Sequence, residues 1–137
     1  MVYITRRETF NAAHRLFRED WTDEQNEAVF GKCANKYYHG HNFQLFITVK
    51  GMPNPETGFI IDLKELSKIV KLHIIETVDH SNLNVDVPFL KGKMPSIENM
   101  AIEFWKIIDR ELKTFDCNLH CIKVVETENN YVEYYGE

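Results

Sequence analysis

The chain has 137 residues, of which 44% are hydrophobic and 27% are charged, a composition typical of one ordinary globular domain over residues 1–137. Its formal net charge of −5 argues against a general nucleic-acid-binding protein, which would be basic overall. No apolar run is long enough to cross a membrane, and residues 1–10 lack the apolar stretch of a signal peptide. We therefore expect a cytoplasmic protein, with no membrane or nucleic-acid partner, whose three cysteines are free thiols.

The first part of the chain is predicted to form two strands. Phe10, Ala12 and His14 share one face of an extended N-terminal segment. Apolar residues at 43, 45, 47 and 49 alternate with residues of the opposite face, which is the pattern of a half-buried strand. A short loop rich in proline and glycine follows over residues 51–58 and lies within the same domain.

The rest of the chain is predicted to form two helices and two further strands. Asp62 is placed to cap the first helix, and Ser96 begins the second, which carries one broad apolar stripe. Residues 119–127 are rich in β-branched side chains, and residues 131–135 follow as a hairpin partner. This order predicts an α+β fold, in which two helices cover one face of a four-stranded antiparallel sheet. The bare opposite face and the exposed edges favour oligomerisation.

His39-Gly40-His41 is the most specific local feature of the sequence. Residues two apart on a strand point to the same face, so both imidazoles can bind a single ion. His14 is the natural third ligand, because it ends a strand that is expected to pair with this one. Three histidine ligands leave a fourth position open, as in a catalytic Zn²⁺ site. The spacing by itself is equally compatible with ordinary histidines.

Cys33 and the neighbouring residues Asp79 and His80 are candidates for proton transfer. Cys33 precedes His39 by six positions and fits a zinc ligand, a buried thiol or a catalytic thiolate. A carboxylate that orients a histidine, which then activates a cysteine, forms a relay, although chain neighbours usually point apart.

Glu126 closes a strand on an otherwise apolar face. It fits either a strand end turned to solvent or a carboxylate that accepts two N–H bonds from a ring edge such as that of guanine or a pterin.

Six separated stretches of the sequence, in the right order, together form a family pattern. They are residues 10–16 (FNAAHRL), 30–33 (FGKC), 39–42 (HGHN), 58–63 (GFIIDL), 78–84 (VDHSNLN) and 126–130 (ETENN). Through these stretches the chain resembles the 6-pyruvoyltetrahydropterin synthase family nearly from end to end. The resemblance implies the tunnelling fold (T-fold), in which three subunits join their sheets into a barrel and two trimers stack into a hexamer.

The resemblance also implies a role for each candidate residue. Three histidines match the family's zinc ligands: His14, His39 and His41. Three residues match those that transfer protons, the last two supplied by a neighbouring subunit: Cys33, Asp79 and His80. Three residues match or adjoin the contacts to the pterin ring: Glu126, Ser96 and Glu98. Ile97 stands where the family usually has Thr or Ser, and its side chain cannot donate a hydrogen bond to the ring.

The activity implied by the resemblance is the zinc-dependent conversion of 7,8-dihydroneopterin triphosphate to 6-pyruvoyltetrahydropterin with loss of triphosphate, in tetrahydrobiopterin biosynthesis. Arg15, Lys32 and Lys36 are candidates for binding the triphosphate. The alternative is 6-carboxytetrahydropterin synthase of queuosine biosynthesis, which releases acetaldehyde and triphosphate from the same substrate. Five residues separate Cys33 from His39, and this spacing favours the first enzyme, since the second more often has three. A non-catalytic zinc- or pterin-binding module is less consistent with the sequence, because all the relay residues are present.

Overall fold

Five strands form one sheet: β1 (Val2–His14), β2 (His39–Gly51), β3 (Ser81–Asn82), β4 (Asn118–Thr127) and β5 (Asn130–Tyr134). Their order in space is β3-β1-β2-β4-β5. The computed structural model, which describes residues 1–137, confirms the predicted antiparallel pairing of the four longer strands. The two-residue β3 is an additional strand, parallel to β1, and pairs with Ala12 and Ala13. It is too short for an alternating pattern to predict.

Four segments are α-helical: α1 (Asp23–Phe30), α2 (Leu63–Val70), α3 (Glu76–Val78) and α4 (Ile97–Glu111). A π-helical turn, Lys71–Ile75, joins α2 to α3. The helices α2 and α4 begin where the sequence predicts. The Asp62 carboxylate accepts a hydrogen bond from Lys64 N at 2.8 Å, and the Ser96 hydroxyl accepts one from Asn99 N at 3.3 Å. None of the helices combines the length and the apolar character needed to span a bilayer.

The helix α1 is absent from the sequence prediction. A capping box defines its start, since Thr22 Oγ1 accepts from Gln25 N at 3.2 Å and Gln25 Oε1 accepts from Thr22 N at 2.9 Å. Asn26 is its only buried residue, so α1 lacks the apolar stripe by which the other helices were predicted. The Asn26 amide instead pairs with the backbone N–H and C=O of Arg18, at 2.8 and 2.9 Å.

The helices pack on one face of the sheet. Alternate residues of β1, β2 and β4 point toward α2 and α4, and together they form one core of 22 buried hydrophobic residues. Within this core the Phe10 ring stacks on Phe43 at 4.8 Å and meets Phe104 of α4 edge-on at 6.1 Å. On the opposite face of β1 the alternate side chains are exposed: Tyr3, Thr5, Arg7, Thr9 and Asn11. The predicted bare sheet face is therefore observed.

A buried carboxylate ties β1 to α2. Glu8 is 8% exposed, and its Oε1 accepts hydrogen bonds from Ser67 Oγ at 2.6 Å and from Arg6 Nε at 2.8 Å. Burial raises the pKa of Glu8, but the hydrogen bonds from Ser67 and Arg6 and the charges of Arg6 and Lys71 more than offset it. The net pKa of this carboxyl lies below its ordinary value.

This lowered pKa predicts a pH-dependent stability. Glu8 binds its proton less readily in the folded state, so it stabilises the fold above its unfolded pKa of about 4.3 and loses this effect as the pH falls through the lower, folded-state pKa. We expect Glu8→Gln to be about 1–2 kcal/mol less stable than the wild type at pH 7 and the difference to shrink below about pH 4. Thermal melts between pH 7 and pH 3 measure the stability difference and its pH dependence. Glu56→Gln, in an exposed loop, is the control. A difference that stays constant over this range would contradict the prediction.

Candidate metal centre

The β1–β2 register brings three histidines together at one end of the sheet. His14 pairs with His39, and His41 pairs with Ala12, so the three imidazoles leave the same, inward face. Their ring centroids lie 4.5 Å apart for His14 and His39, 4.9 Å for His39 and His41, and 5.3 Å for His14 and His41. The Phe43 ring, a member of the hydrophobic core, meets His14 and His41 edge-on, so the cluster lies directly against the core.

Glu126 faces the same cluster from β4. Its Oε1 lies 3.2 Å from His14 Nε2 and 3.1 Å from His41 Nε2. One ligand atom from each of four residues lies within 4.8 Å of the others: His14, His39, His41 and Glu126. The sequence left open whether Glu126 turns to solvent, and the structure turns its carboxylate toward the histidines. A nitrogen-and-oxygen donor set of this size suits a divalent cation such as Zn²⁺.

Three buried nitrogen atoms of the cluster have no hydrogen-bond partner: His14 Nε2, His39 Nδ1 and His41 Nε2. Buried polar atoms are almost always paired, and Glu126 Oε1 lies near two of these nitrogens without forming a hydrogen bond to either, so the cluster suits a shared ligand. A zinc ion would accept a lone pair from each of them, and the residues present therefore fit the metal. The other ring nitrogen of His14, Nδ1, donates to the Pro95 carbonyl at 2.8 Å, which selects the tautomer whose lone pair is on Nε2 and holds the ring in place.

The surroundings of His39 and His41 favour their neutral forms. Burial lowers the pKa of His39, the nearby His14 and His41 lower it further, and Glu126 opposes them in part. Burial also lowers the pKa of His41, while Glu126 raises it and His14 lowers it. Neutral imidazole is the form that binds a metal, so both side chains are ready to coordinate near neutral pH.

Cys33 opens onto the cavity that His39 and His41 line, while His14 lines the neighbouring one. It lies on a short 3₁₀ turn, Gly31–Ala34, between α1 and β2, and its thiol is free and half-buried. The cavity has a volume of about 550 Å³ and is lined by eight residues: Lys32, Cys33, Asn35, His39, His41, Glu126, Thr127 and Asn130. A group bound at the histidines would therefore lie in the cavity that the thiol lines.

A second cavity, of about 400 Å³, shares Glu126 and Asn130 with the first. Its lining contains Ser96, Ile97 and Glu98 at the start of α4. Ser96 and Glu98 are the polar side chains at this helix start, and the Ser96 hydroxyl also caps α4. The structure thus places the predicted ring contacts around one carboxylate, that of Glu126.

Asp79 and His80 lie apart from this carboxylate, beside the edge strand β3. Asp79 Oδ1 accepts from Asn11 N at 2.8 Å, and Asp79 Oδ2 lies 3.0 Å from His80 Nδ1. The hydrogen bond from Asn11 is the main cause of the lowered pKa of Asp79. The His80 side chain is 81% exposed and lines neither cavity. Within one chain the structure joins the pair to each other and does not bring it to Cys33.

The three cations proposed for phosphate binding line a further cavity, of about 480 Å³. Two acidic residues, Asp23 and Glu27, also line it, and Lys36 Nζ lies 3.1 Å from Asp23 Oδ2. Lys32 lines both this cavity and the one that contains Cys33, and it forms no ion pair. Lys32 is therefore the cation that the two cavities share.

Sequence reasoning missed the contribution of Pro95. Its carbonyl orients His14, yet a backbone acceptor is chemically the same in every residue and leaves no signal in the sequence. It also missed Asn130 and Tyr131, which line cavities around Glu126. Their place in the hairpin directly after Glu126 is a signal that could have found them.

Comparisons with known proteins agree with this architecture. Residues 3–137 match the family model described as 6-pyruvoyl tetrahydropterin synthase. The chain is 40% identical over 136 residues to the 6-pyruvoyl tetrahydrobiopterin synthase of Dictyostelium discoideum, covering 99% of this chain and 97% of that one. It is 39% identical over 134 residues to the protein of the same name from Homo sapiens, covering 98% and 91%.

A solved structure and a more distant relative complete the comparison. The structure of Caenorhabditis elegans 6-pyruvoyl tetrahydropterin synthase matches with a TM-score of 0.90 at 35% identity, covering 99% of this chain and 96% of that one. The 6-carboxy-5,6,7,8-tetrahydropterin synthase of Rickettsia bellii is 30% identical over 154 residues, covering 97% and 99%. The chain belongs to the 6-pyruvoyl tetrahydropterin synthase family.

Proposed function

We propose that this chain is a zinc-dependent lyase that converts 7,8-dihydroneopterin triphosphate to 6-pyruvoyltetrahydropterin with loss of triphosphate. The observation that carries the proposal is the cluster of three buried histidine nitrogens without a hydrogen bond, two of which belong to residues that line one cavity with a free thiol, His39 and His41. Family membership and the names of the relatives at about 40% identity support a 6-pyruvoyl-tetrahydropterin as the product.

The residues that would hold Zn²⁺ are His14, His39 and His41. When bound, the ion acts as a Lewis acid that polarises a side-chain hydroxyl or carbonyl oxygen of the substrate and acidifies the adjacent C–H bonds. Neutral imidazole ligands carry no charge, so they would leave the charge of the ion uncompensated. The Pro95 carbonyl keeps His14 in the orientation that this role needs.

Glu126 would bind the pterin ring. A carboxylate can accept two N–H hydrogen bonds from the amidine edge of a pterin, and such charge-assisted pairs are strong. Glu126 lines both cavities around the histidines, so a ring bound at its carboxylate would lie beside the metal ligands. The substrate side chain would then extend toward Cys33.

Cys33 would transfer protons between the substrate side chain and the ring. The side chain would be oxidised as the ring is reduced, so the reaction would need no external hydride carrier. Asp79 lies 3.0 Å from His80 Nδ1 and so orients the imidazole for proton exchange. Because His80 is exposed at a sheet edge, we place it in the cavity of a neighbouring subunit. A homo-oligomer, a hexamer formed by two trimers, would provide this contact and cover the bare sheet face.

A second candidate function is 6-carboxytetrahydropterin synthesis, which the 30% identity to the Rickettsia bellii protein supports. It uses the same substrate and metal but breaks a carbon–carbon bond. The two reactions differ in the fate of the substrate side chain, which a few residues of the cavity can redirect. The spacing of five residues between Cys33 and His39 favours the first candidate.

Product analysis separates the two functions. We expect the purified, zinc-loaded chain to convert 7,8-dihydroneopterin triphosphate to a pyruvoyl-pterin with release of triphosphate and no loss of carbon. Mass spectrometry of the products measures this, with chelator-treated protein as the control. Acetaldehyde together with a carboxy-pterin would overturn the first candidate in favour of the second.

A further inference from the structure

Asn84 holds the backbone that follows His14. Asn84 Oδ1 accepts a hydrogen bond from Arg15 N at 2.8 Å, and Asn84 Nδ2 donates to Arg15 O at 2.8 Å. The side-chain amide thus satisfies both backbone groups of one residue, as a strand partner would, at the position where β1 has ended. Asn84 therefore fixes the direction in which the chain leaves the histidine cluster.

Arg15 extends this anchorage to the turn that carries Cys33. Arg15 Nε donates to Ala34 O at 2.9 Å, and the guanidinium carbon lies 3.7 Å from the centroid of the Phe17 ring. Ala34 ends the 3₁₀ turn, where backbone carbonyls lack N–H donor partners within the helix and a guanidinium can donate to them.

The backbone makes a second link between the same two segments. Leu16 N donates to Cys33 O at 2.8 Å, directly beside the bond between Arg15 and Ala34. Two successive carbonyls of the turn are thus bound by two successive residues of the segment after β1. The position of the thiol is therefore coupled to the strand that carries His14.

We propose that Arg15 and Asn84 are positioning residues, which keep Cys33 next to a substrate bound at the histidines. We call this set of contacts the Arg15 brace. It consists of the Asn84 amide, Arg15, and the backbone carbonyls of Cys33 and Ala34. The inference rests on the proposed function, in which Cys33 transfers protons. It gives Arg15 a positioning role through Nε, which is distinct from phosphate binding by the remaining N–H groups of the guanidinium.

Two variants remove the brace, and a third is a matched control. Arg15→Ala removes the guanidinium, and Asn84→Ala removes the anchorage without changing any charge. Lys36→Met removes a cation from the cavity that Arg15 also lines but leaves the brace intact. Each full-length, zinc-loaded variant is treated with iodoacetamide without substrate, and the alkylation of Cys33 is followed by peptide mass spectrometry. Steady-state kinetics with 7,8-dihydroneopterin triphosphate and a thermal melt complete the set.

We expect Arg15→Ala and Asn84→Ala to raise the alkylation rate of Cys33 roughly tenfold, because the turn opens locally. We expect kcat to fall about 10- to 100-fold with little change in KM, since a small displacement of a catalytic group is sufficient for such a loss. The control Lys36→Met is expected to raise KM and to leave the alkylation of Cys33 unchanged.

Two results would overturn the brace. One is Arg15→Ala with a raised KM but unchanged kcat and alkylation, which would assign Arg15 to triphosphate binding. The other is unchanged alkylation of Cys33 in Asn84→Ala, even with a lower melting temperature, which would leave Asn84 a purely structural residue. The alkylation arm needs no substrate, so it tests the brace independently of the proposed reaction.

Discussion

Replacing His39 with alanine is expected to remove Zn²⁺ from the protein and to lower turnover about 1,000-fold or more, since the ion supplies several kcal/mol of charge stabilisation. His39 is one of three imidazoles with a buried, unpaired nitrogen, and two ligands are too few for a stable tetrahedral site. The fold is expected to persist, because His39 lies at the start of β2, outside the hydrophobic core. Metal analysis and circular dichroism measure the two effects separately.

The matched control for this variant is His73→Ala. His73 lies on the π-helical turn, with Nε2 3.3 Å from Glu111 Oε2, and is not part of the histidine cluster. This variant is expected to keep its metal and its turnover. Full metal occupancy in His39→Ala would mean that the ion is held elsewhere, and the proposed centre would be wrong.

Replacing Cys33 with alanine is expected to leave zinc bound and to lower turnover about 100- to 10,000-fold, the usual contribution of a positioned acid–base group. Cys33 lines the cavity of the histidines but is not among the four clustered ligands, so the variant separates proton transfer from metal binding. Turnover is measured with 7,8-dihydroneopterin triphosphate, and metal content is measured on the same sample.

Cys117→Ala serves as the control for the loss of a thiol. Burial, with a smaller effect of the Asp116 charge, raises the pKa of the Cys117 thiol, which therefore stays protonated and unreactive near neutral pH. The control is expected to turn over substrate at close to the wild-type rate. Wild-type turnover in Cys33→Ala would contradict the proposed proton-transfer role of Cys33.

Most of the sheet and the starts of two helices were predictable because their signals are local. Alternation over residues 43–49 predicts β2 wherever that strand lies in the molecule. Asp62 and Ser96 predict helix starts because each side chain reaches a backbone N–H only two or three residues further on. The helix α1 buries only Asn26, and β3 exists through its pairing with β1, so neither has a local apolar pattern.

The candidate site also combines features that a local sequence pattern predicts with features that depend on long-range contacts. His39 and His41 were predicted to act together because residues two apart share a strand face. The direction of the Glu126 carboxylate was undecided, since a strand end can face solvent or the interior, and the pairing of β2 with β4 resolves it. The bond between Pro95 and His14 joins residues 81 positions apart and could not be inferred from either one.

By itself, the sequence determined which side chains share a face and which residues cap the helices, because strand and helix periods are properties of the local backbone. Only the tertiary structure decided that His14 stands opposite His39, and that Asn84 holds Arg15 from 69 residues away. Strand register and long-range hydrogen bonds depend on how the whole core packs, which no short segment specifies.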